Sequence, residues 1–402
     1  MRILFVHNRY LYRGGEDESR GLEMKMLQDR GENVFEYHVE NGAISRADII
    51  TIGLGSVWNQ SQYRRVQDVI RQTRPDVMKV DNFFPILSLS IFEAAKSLGV
   101  STVLSVRNYR LVCPSATLFR DGEYCVSCVG RKLAIPGIVH KCYRNSYLQS
   151  ASSAVSNAYG HTRGVWDDLI DQYIAVSGFV KKQLVDGGFS SSKISVKPNF
   201  IHDTQVGQGL GGYALYVGRL SEEKGIRTLM SAWSKIGAAV PLKVIGEGPL
   251  QALVEASAAQ NESIDYLGRK RLDEVLDYLA SASFLIFPAE WPEPFGRAII
   301  EAYSKGTPVV AAETTPIRDM IDDGQTGLLF RAGDPVDCAD KVLSLSAHSA
   351  TLSQMRINAR QRYLKDYTED RNYKLMVEIL QKVCPHATPA DSVGTVSESG
   401  RD

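Results

Sequence analysis

The chain has 402 residues, of which 44% are hydrophobic and 23% charged, a composition typical of a soluble globular protein. It is longer than one hydrophobic core usually supports, so two domains are expected. Lysine plus arginine and aspartate plus glutamate each number 46, which leaves no net charge to attract nucleic acid or an anionic membrane. We therefore expect no nucleic-acid partner.

The chain begins with a short apolar run, Met1–His7, and the polar pair Asn8-Arg9 follows at once. This run is too short for a signal peptide, and no apolar stretch approaches the roughly 20 residues that cross a bilayer. We expect a cytoplasmic protein whose membrane contact, if any, is peripheral at the inner face. One predicted helix carries four arginines, for which a solvated face is favoured and a lipid-facing one is the alternative. These are Arg64, Arg65, Arg71 and Arg74.

Short apolar runs alternate with helical patterns through the first half of the chain. The predicted strands are Ile3–His7, Val77–Val80, Thr102–Val106 and Tyr173–Val176, and the predicted helices include Glu18–Arg30 and Leu87–Leu98. Each strand is short, continuous and rich in β-branched residues, as in a parallel sheet that is covered on both faces.

Four of the six cysteines lie within 30 residues of the first half, at Cys113, Cys125, Cys128 and Cys142. Four thiolates can close a tetrahedral structural zinc site, and the Cys-x2-Cys spacing of the middle pair fits one. Reduced or redox-sensitive thiols are the alternative, because the outer spacings are loose for zinc and a cytoplasmic chain keeps its thiols reduced.

The glycine-rich segment Val206–Gly212 has no apolar period and is predicted to link the domains and act as their hinge. After it the alternation restarts, with predicted strands Ala214–Val217, Leu242–Ile245, Asp265–Leu267, Phe284–Phe287 and Pro308–Ala311. Two such runs predict an α/β fold with two parallel sheets. A last helix is predicted over Thr368–Val383, with Thr368 as its N-cap.

Two cations follow the first strand of the second half, in Tyr216-Val-Gly-Arg-Leu-Ser-Glu-Glu-Lys-Gly225. Arg219 and Lys224 fall where that strand ends, which is the edge at which open α/β sheets bind ligands. A planar guanidinium and a compact ammonium together suit a diphosphate. Taken alone, a solvated turn with incidental charges is the better interpretation.

A loop and an apolar helix follow in Pro292-Glu-Pro-Phe-Gly-Arg-Ala-Ile-Ile-Glu-Ala302. Backbone N–H groups near Phe295 to Ala298 would lie at a helix N-terminus, which favours phosphate. Glu293 is placed just before the helix and Glu301 two turns into it, about 80° apart on an ideal helix, so that both can face one ligand. In isolation, a helix-start charge and a surface acid are the simpler interpretation.

The ordered set of motifs changes this balance. It consists of Gly218-Arg-Leu-Ser-Glu-Glu-Lys-Gly225, Val244-Ile-Gly-Glu-Gly-Pro249, Glu293-Pro-Phe-Gly-Arg-Ala-Ile-Ile-Glu301, Gly306-Thr-Pro-Val309 and Thr326-Gly-Leu-Leu-Phe330. In these motifs the chain resembles retaining glycosyltransferases of family 4, from Arg2 to about Cys384, and in particular a cysteine-bearing branch. The resemblance implies the α/β GT-B fold, in which two Rossmann-like, doubly wound parallel-sheet domains face a cleft.

The resemblance also implies how the chain is divided. Residues 1–205 would be the acceptor-binding domain, with a cysteine-rich insertion at 113–142, and residues 206–366 the nucleotide-sugar-binding domain. Residues 367–384 would be a helix that crosses back to pack on the first domain. Residues 385–402 are predicted to be disordered, because they are rich in Ser, Thr, Pro and Gly and lack aromatic residues.

The roles of individual residues follow from the same resemblance. Arg219 and Lys224 would hold the donor diphosphate, Glu293 would address the transferred sugar, and Glu301 would contact the ribose. The other donor contacts would be Gly218, Gly246, Glu247, Gly248, Phe295, Gly296 and Arg297. The acceptor side would include Gly14, Gly15 and Asn108.

Arg107 stands where this family often has a histidine, and we group it with Glu293, Arg219 and Lys224 as the predicted catalytic set. An arginine cannot act as a general base at neutral pH. Arg107 therefore has an electrostatic role, or transfer proceeds without the histidine, or the activity is low.

The implied reaction moves a sugar from a UDP-, GDP- or ADP-sugar to a saccharide or lipid-linked acceptor with retention, in polysaccharide or glycoconjugate biosynthesis. The sequence contains no Asp-x-Asp, so no catalytic metal is expected. A phosphorylase or epimerase on the same fold and a non-catalytic sugar-nucleotide-binding scaffold are the alternatives. A glycosidase fits poorly, because it needs two carboxylates flanking the bond. A dinucleotide fingerprint is missing, since Gln251 stands where it requires glycine.

Overall fold

The structure is a computed structural model that describes residues 1–9, 15–40 and 55–387. The backbone divides into two compact units. The first contains Met1–Ala116, Val126–Pro198 and the chain from Asn372 onward, and the second contains Thr117–Cys125 and Asn199–Arg371. Apart from Thr117–Cys125, the chain passes to the second unit after Pro198, whereas the boundary was predicted at residue 205, and it returns to the first unit within its last helix.

Parallel strands dominate both units. In chain order the strands are β1 (Arg2–Arg9), β2 (Asn33–Glu40), β3 (Val77–Asn82), β4 (Ser101–Val106), β5 (Phe119–Arg120), β6 (Glu123–Tyr124), β7 (Gln172–Ala175), β8 (Ile194–Val196), β9 (Ala214–Val217), β10 (Leu242–Ile245), β11 (Ile264–Gly268), β12 (Phe284–Phe287), β13 (Val309–Ala312) and β14 (Gly327–Phe330). The first unit holds a six-stranded sheet in the order β2-β1-β3-β4-β7-β8, and the second holds one in the order β11-β10-β9-β12-β13-β14. All neighbours in both sheets are parallel, as predicted, and β5 pairs with β6 in a separate antiparallel hairpin.

Helices connect most of these strands, as parallel pairing requires. They are α1 (Gly15–Asp29), α2 (Gln60–Thr73), α3 (Ser90–Ser97), α4 (Ile135–Val139), α5 (Tyr147–Thr162), α6 (Gly178–Asp186), α7 (Ile226–Ile236), α8 (Gln251–Gln260), α9 (Leu272–Ser281), α10 (Arg297–Ser304), α11 (Thr315–Arg318), α12 (Pro335–Ser346), α13 (Ser349–Asp366) and α14 (Glu369–Val383). A π-helical turn spans Val165–Leu169, and short 3-10 helices span Ser191–Lys193, Glu222–Lys224 and Gly237–Ala239.

The core of the second unit explains why its central strands lie where they do. Strands β12 and β13 are buried at every residue, so only continuous apolar runs can occupy these positions. Helix α7 lays Leu229 and Trp233 against this sheet, and the Trp233 indole N–H donates to Val240 O at 2.9 Å. The carboxyl ends of β9, β10 and β12 consequently meet at one fixed edge, where the loops that carry the predicted site begin.

The glycine-rich segment that was predicted to be a hinge is hydrogen-bonded to its neighbours. The amides of Gly207, Gly209 and Gly211 donate to Lys305 O, Ala280 O and Ser281 O at 3.0, 2.9 and 2.8 Å. A Cβ atom on Gly207 would lie 2.1 Å from Ala280 O. These glycines therefore permit close packing against the rest of the second unit. The segment is a strap that is hydrogen-bonded along its length within that unit.

Helix α14 completes the first unit. Asn372, in its first turn, donates through Nδ2 to Pro198 O at 2.6 Å, and the Tyr373 hydroxyl donates to Glu32 Oε1 at 3.2 Å. At the other end of the helix, Ser101 Oγ donates to Val383 O at 2.9 Å. The predicted N-cap contact is present, although long: Thr368 Oγ1 accepts from Arg371 N at 3.4 Å. Residues 388–402 of the predicted disordered tail lie outside the described residues.

Candidate functional site

The loops that follow β9 and β10 are joined by their backbones. Leu220 N donates to Glu247 O at 2.9 Å, and Leu250 N donates to Leu220 O at 2.9 Å. Gly246 has a φ of 148°, and a Cβ there would lie 1.8 Å from Gly218 O. Only glycine fits at this approach. The predicted donor residues Gly218, Gly246, Glu247 and Gly248 therefore lie together.

Arg219 is exposed at this edge, and its backbone is fixed from beneath. The buried Tyr216 hydroxyl donates to the Arg219 carbonyl oxygen at 2.8 Å. Burial raises the pKa of Tyr216 well above its usual value, and the negative charges of Glu293 and Glu223 add to this effect. The phenol therefore stays protonated and keeps donating, which fixes where the Arg219 side chain leaves the loop.

Lys224, Glu293 and Trp291 form one contact group. The Lys224 ammonium bonds to Glu293 Oε2, and the Trp291 indole N–H donates to the same oxygen at 3.1 Å. Lys224 Nζ also lies 5.4 Å from the centroid of the Trp291 ring, within range of a cation–π interaction. The side chains of Lys224 and Glu293 are 20% and 13% exposed, so both are partly shielded from solvent.

Backbone contacts hold the two loops that carry this group together. Glu290 N donates to Glu223 O at 3.1 Å, and the Thr228 hydroxyl donates to Glu290 Oε1 at 2.6 Å. Gly225 adopts a left-handed φ of 70°, and a Cβ on it would lie 1.9 Å from Pro288 O. The ends of β9 and β12 are thus joined at a position that only glycine allows.

The predicted geometry of Glu301 needs a correction. Helix α10 begins at Arg297, so Glu301 lies one turn into it rather than two, and Glu293 lies in the preceding loop. The ideal-helix angle between the two carboxylates therefore does not apply. Glu301 Oε1 pairs with Arg297 Nε at 2.9 Å, and both side chains are largely buried. This pair fixes Glu301 at the start of the helix.

The Pro-Phe-Gly bend is packed more tightly than its motif suggests. Phe295 is buried and meets the Tyr367 ring edge-on at 6.1 Å. A Cβ on Gly296 would lie 2.6 Å from Ile299 Cδ1. The Arg297 amide, one of those predicted to meet phosphate, donates to Phe295 O at 3.0 Å. The structure therefore gives Phe295 and Gly296 roles in shaping the bend.

The predicted acceptor residues lie in the first unit. Gly15 begins α1, and its carbonyl accepts from Ser19 Oγ at 2.7 Å. Asn108 Oδ1 accepts from the Arg110 amide at 3.0 Å, so its side chain closes a turn after β4. Gly14 lies outside the described residues.

Arg107 belongs to a buried cluster of charges in the first unit. Its guanidinium bonds to Glu23 Oε1 at 2.9 Å and approaches Asp81 Oδ1 at 3.4 Å. Lys79 bridges the same two carboxylates at 3.0 and 2.8 Å. Lys197 adds a third cation, at 2.6 Å from Glu23 Oε1. Arg107 is therefore bound to two carboxylates of its own unit.

The electrostatics of this cluster follow from its charges. Burial opposes ionisation of Glu23, but the positive charges of Arg107, Lys197 and Lys79 outweigh it and hold the pKa of Glu23 well below its usual value. Burial lowers the pKa of Lys197 to about 8, although Glu23 partly offsets the effect. Three cations face Glu23 and Asp81 here, and the charge of Glu16 also acts on Arg107.

Lys197 should make stability depend on pH. Its folded-state pKa lies below the value near 10.4 of an unfolded lysine, so its charge costs stability below about pH 8 and the cost disappears as the pH rises toward 10. Relative to Lys197→Met, the wild-type free energy of unfolding should rise across this window by up to about 1.4 kcal/mol per pH unit. Urea unfolding at stepped pH measures this. Lys25→Met, at an exposed lysine of α1, is the control, and a flat difference for Lys197→Met would contradict the assignment.

The zinc site at the four cysteines stays a prediction. Among the described residues, which include all four, no group of three or more His, Cys, Asp or Glu side chains is arranged to hold a metal ion. Cys113 is buried, and its thiol lies 3.1 Å from Ser115 Oγ. Loose outer spacings, visible in the sequence, agree with this result.

Sequence reasoning missed Trp291 and Tyr216, whose side chains hold Glu293 and Arg219. Trp291 stands two residues before Glu293, and an aromatic residue beside a charged motif was the one available signal. Tyr216 lies in a strand, where a buried aromatic side chain is ordinary. Its hydrogen bond depends on the turn after the strand, which the sequence does not specify.

Part of this chain is similar to known proteins. Residues 211–348 match the family model "Glycosyl transferases group 1". An uncharacterized glycosyltransferase of Methanocaldococcus jannaschii is 30% identical over 177 residues, which cover 44% of this chain and 49% of that protein. The sulfoquinovosyl transferase of Arabidopsis thaliana is 34% identical over 134 residues, 33% of this chain and 26% of that protein. The chain thus spans half or less of the length of these two relatives.

Among solved structures, Anabaena HepE in complex with UDP is similar to this chain, with a TM-score of 0.71 at 14% identity. The match covers 95% of this chain and 100% of the HepE chain. At this identity the likeness shows the fold, which is the predicted GT-B class with two parallel-sheet α/β domains. The family match covers β9 to α12, the elements whose loops carry Arg219, Lys224, Glu293 and Glu301. Residues 211–348 of this chain are therefore similar to the glycosyl transferases group 1 family.

Proposed function

We propose that this protein transfers a sugar from a nucleoside-diphosphate sugar to a saccharide or lipid-linked acceptor, with retention at the anomeric carbon. The observation that carries the proposal is the contact group of Lys224, Glu293 and Trp291 at the carboxyl edge of the second sheet, where the loop that holds Lys224 also carries Arg219. Ligands of open α/β sheets bind at such edges. The solved HepE complex contains UDP, which supports a uridine nucleotide as the first donor to test.

The proposed chemistry assigns one task to each charge. Cleavage of the sugar–phosphate bond places negative charge on the leaving diphosphate, and the Arg219 and Lys224 cations stabilise that charge as it develops. Glu293 would accept hydrogen bonds from hydroxyl groups of the transferred sugar. Because Lys224 is paired with Glu293, the arriving diphosphate shares a cation that the protein has already positioned and partly desolvated.

A second candidate function is a sugar-nucleotide-binding scaffold without turnover. The observation that favours it is Arg107, whose guanidinium is bound to Glu23 and Asp81 and supplies no general base. In this case the donor edge binds nucleotide, but no acceptor is glycosylated.

A panel of nucleoside diphosphates and nucleotide sugars, screened by thermal shift on the full chain, tests the donor site. Ligands that carry one particular nucleobase should stabilise the protein. The increase should be about 2.7 kcal/mol when the ligand concentration is 100 times the dissociation constant of that ligand. The absence of any shift across the panel would overturn the donor assignment. A specific shift together with labelled product from a saccharide acceptor supports the transferase, and a shift without product from any acceptor supports the scaffold. Adding EDTA to the transfer assay tests the expected metal independence.

A further inference from the structure

A stretch of the first unit combines exposed apolar side chains with positive charge. Between Glu123 and Asp167 the sequence contains no aspartate or glutamate. The cations of this stretch are Arg131, Lys132, Lys141, Arg144 and Arg163. Since the whole chain carries no net charge, this acid-free stretch is a local exception to its charge balance.

The same stretch exposes large apolar side chains. Among the described residues, seven exposed ones fall between positions 126 and 155: Val126, Leu133, Ile135, Val139, Tyr147, Leu148 and Val155. Ile135 and Val139 of α4 are 55% and 59% exposed, and Tyr147 at the start of α5 is 58% exposed. Apolar surface exposed at this density marks a site of interaction.

The fold presents these side chains on a fixed support. In α4 the opposite face is packed, because Gly137 is buried and a Cβ on it would lie 2.7 Å from Pro114 Cγ. Ile135 and Val139 are spaced i and i+4, so they share the outer face. Helices α4 and α5 pack on each other, and Lys141 Nζ lies 4.6 Å from the Tyr147 ring centroid. At least one cation, Lys141 between the two helices, therefore lies beside an exposed ring of this surface.

Stacked rings and guanidinium groups anchor the corner between the two helices. The Arg110 guanidinium lies 4.9 Å from the Phe84 ring centroid and 4.6 Å from the Tyr143 ring centroid. The Tyr143 amide donates to Ser150 Oγ at 2.9 Å. Anchored in this way, the corner cannot easily turn its apolar side chains inward.

We infer that this surface, the outer face of α4 and the start of α5 with residues 131–133, docks on an anionic lipid bilayer. Anionic headgroups complement a stretch that carries several cations and no carboxylate of its own. The neighbouring Asp186 carboxylate is paired with Lys182. Each lysine or arginine near such a membrane strengthens binding about fivefold. Ile135, Val139 and Tyr147 would reach the boundary between headgroups and acyl chains. Among the described residues no helix could cross a membrane, so the contact is peripheral. The inference does not depend on the proposed reaction.

Helix α2 provides a matched comparison. Arg64 and Arg71 of α2 are exposed, as Arg131 and Lys132 are, but α2 has no exposed large apolar side chain among its described residues. If charge alone caused binding to the membrane, the two surfaces would bind equally. Docking in which apolar side chains insert into the bilayer requires the α4–α5 surface.

Sedimentation of the full chain with vesicles tests the inference. The protein should bind vesicles of phosphatidylcholine mixed with phosphatidylglycerol and should not bind phosphatidylcholine alone. Arg131→Glu/Lys132→Glu and Ile135→Ser/Val139→Ser should each weaken binding at least tenfold. The control Arg64→Glu/Arg71→Glu, with the same change of charge, should stay within about twofold, because separated surface charges are screened beyond about 10 Å. All substituted side chains are exposed, and unchanged melting temperatures would show that the variants are folded.

Several outcomes would overturn the inference: equal binding to both vesicle types, unchanged binding of Ile135→Ser/Val139→Ser, or an equal loss in the α2 control. A self-associating protein that Ile135→Ser/Val139→Ser converts to a monomer, with no vesicle binding, would also overturn it and assign the surface to a second copy. The nucleotide-induced thermal shift of the docking variants should equal that of the wild type. Failure of vesicle binding is thus distinguishable from failure of the donor site.

Discussion

Replacing Glu293 with glutamine should lower kcat for sugar transfer by about 10²–10³-fold and leave the melting temperature nearly unchanged. The amide keeps an oxygen to accept from the Trp291 indole and removes the negative charge that Lys224 and the sugar hydroxyls meet. Steady-state kinetics with the donor identified by thermal shift would measure this. Nucleotide binding should persist, because Arg219 and Lys224 remain.

The matched control is Glu222→Gln in the turn before α7, where the carboxylate pairs with Arg227 at the surface. An exposed pair contributes little, so this variant should retain wild-type turnover. Lys224→Met is a second test variant beside Glu293→Gln. It should weaken the binding of nucleoside diphosphates as well as turnover. Wild-type kcat in Glu293→Gln would remove Glu293 from the reaction and leave the scaffold hypothesis stronger.

Replacing Glu23 with alanine should destabilise the first unit by about 3–5 kcal/mol and lower the melting temperature on the order of 10 °C. Glu23 is the carboxylate that Lys79, Arg107 and Lys197 share, and all three cations are buried. Its removal leaves Asp81 to balance Lys79 and Arg107 and leaves the buried Lys197 without the carboxylate that it contacts. Calorimetry of the full chain would measure the shift.

Asp29→Ala is the control for this prediction, because Asp29 lies on the same helix and its pair with Lys25 is exposed. It should change the free energy of unfolding by no more than about 0.5 kcal/mol. A comparable loss of stability in both variants would mean that α1 is sensitive to the loss of any charge. The buried cluster would then contribute no more to stability than an exposed ion pair.

The sheet of the second unit could be predicted from the sequence because its strands are buried on both faces. Residues 214–217, 242–245 and 284–287 were predicted with the bounds that the structure shows. The edge strand β2 was missed, because its residues alternate between half-buried and exposed and include glutamates. Strand β8 has only three residues, too few to give a pattern.

The candidate site was predictable as a set of positions and not as a set of contacts. Lys224 and Glu293 come together because β9 and β12 are neighbours. Arg219 lies on the same loop as Lys224. The pairing of Arg297 with Glu301 and the bond from Trp291 to Glu293 depend on loop conformations that side-chain spacing does not encode. The strap at Gly207–Gly211 shows the same limit, since glycine permits flexibility and close packing alike.

The link between Lys197 and Asn372 has a consequence for how the protein is made. These buried side chains lie 175 residues apart in sequence, and their bond joins the end of the first sheet to the last helix. A ribosome releases residues 1–198 long before residues 372–383, with the second unit in between. Until the last helix is synthesised, the core of the first unit is incomplete and the charged Lys197 lacks its contact with Asn372. The second unit has all its residues earlier and can finish folding first. Nascent chains that are stalled before Asn372 should therefore bind chaperones.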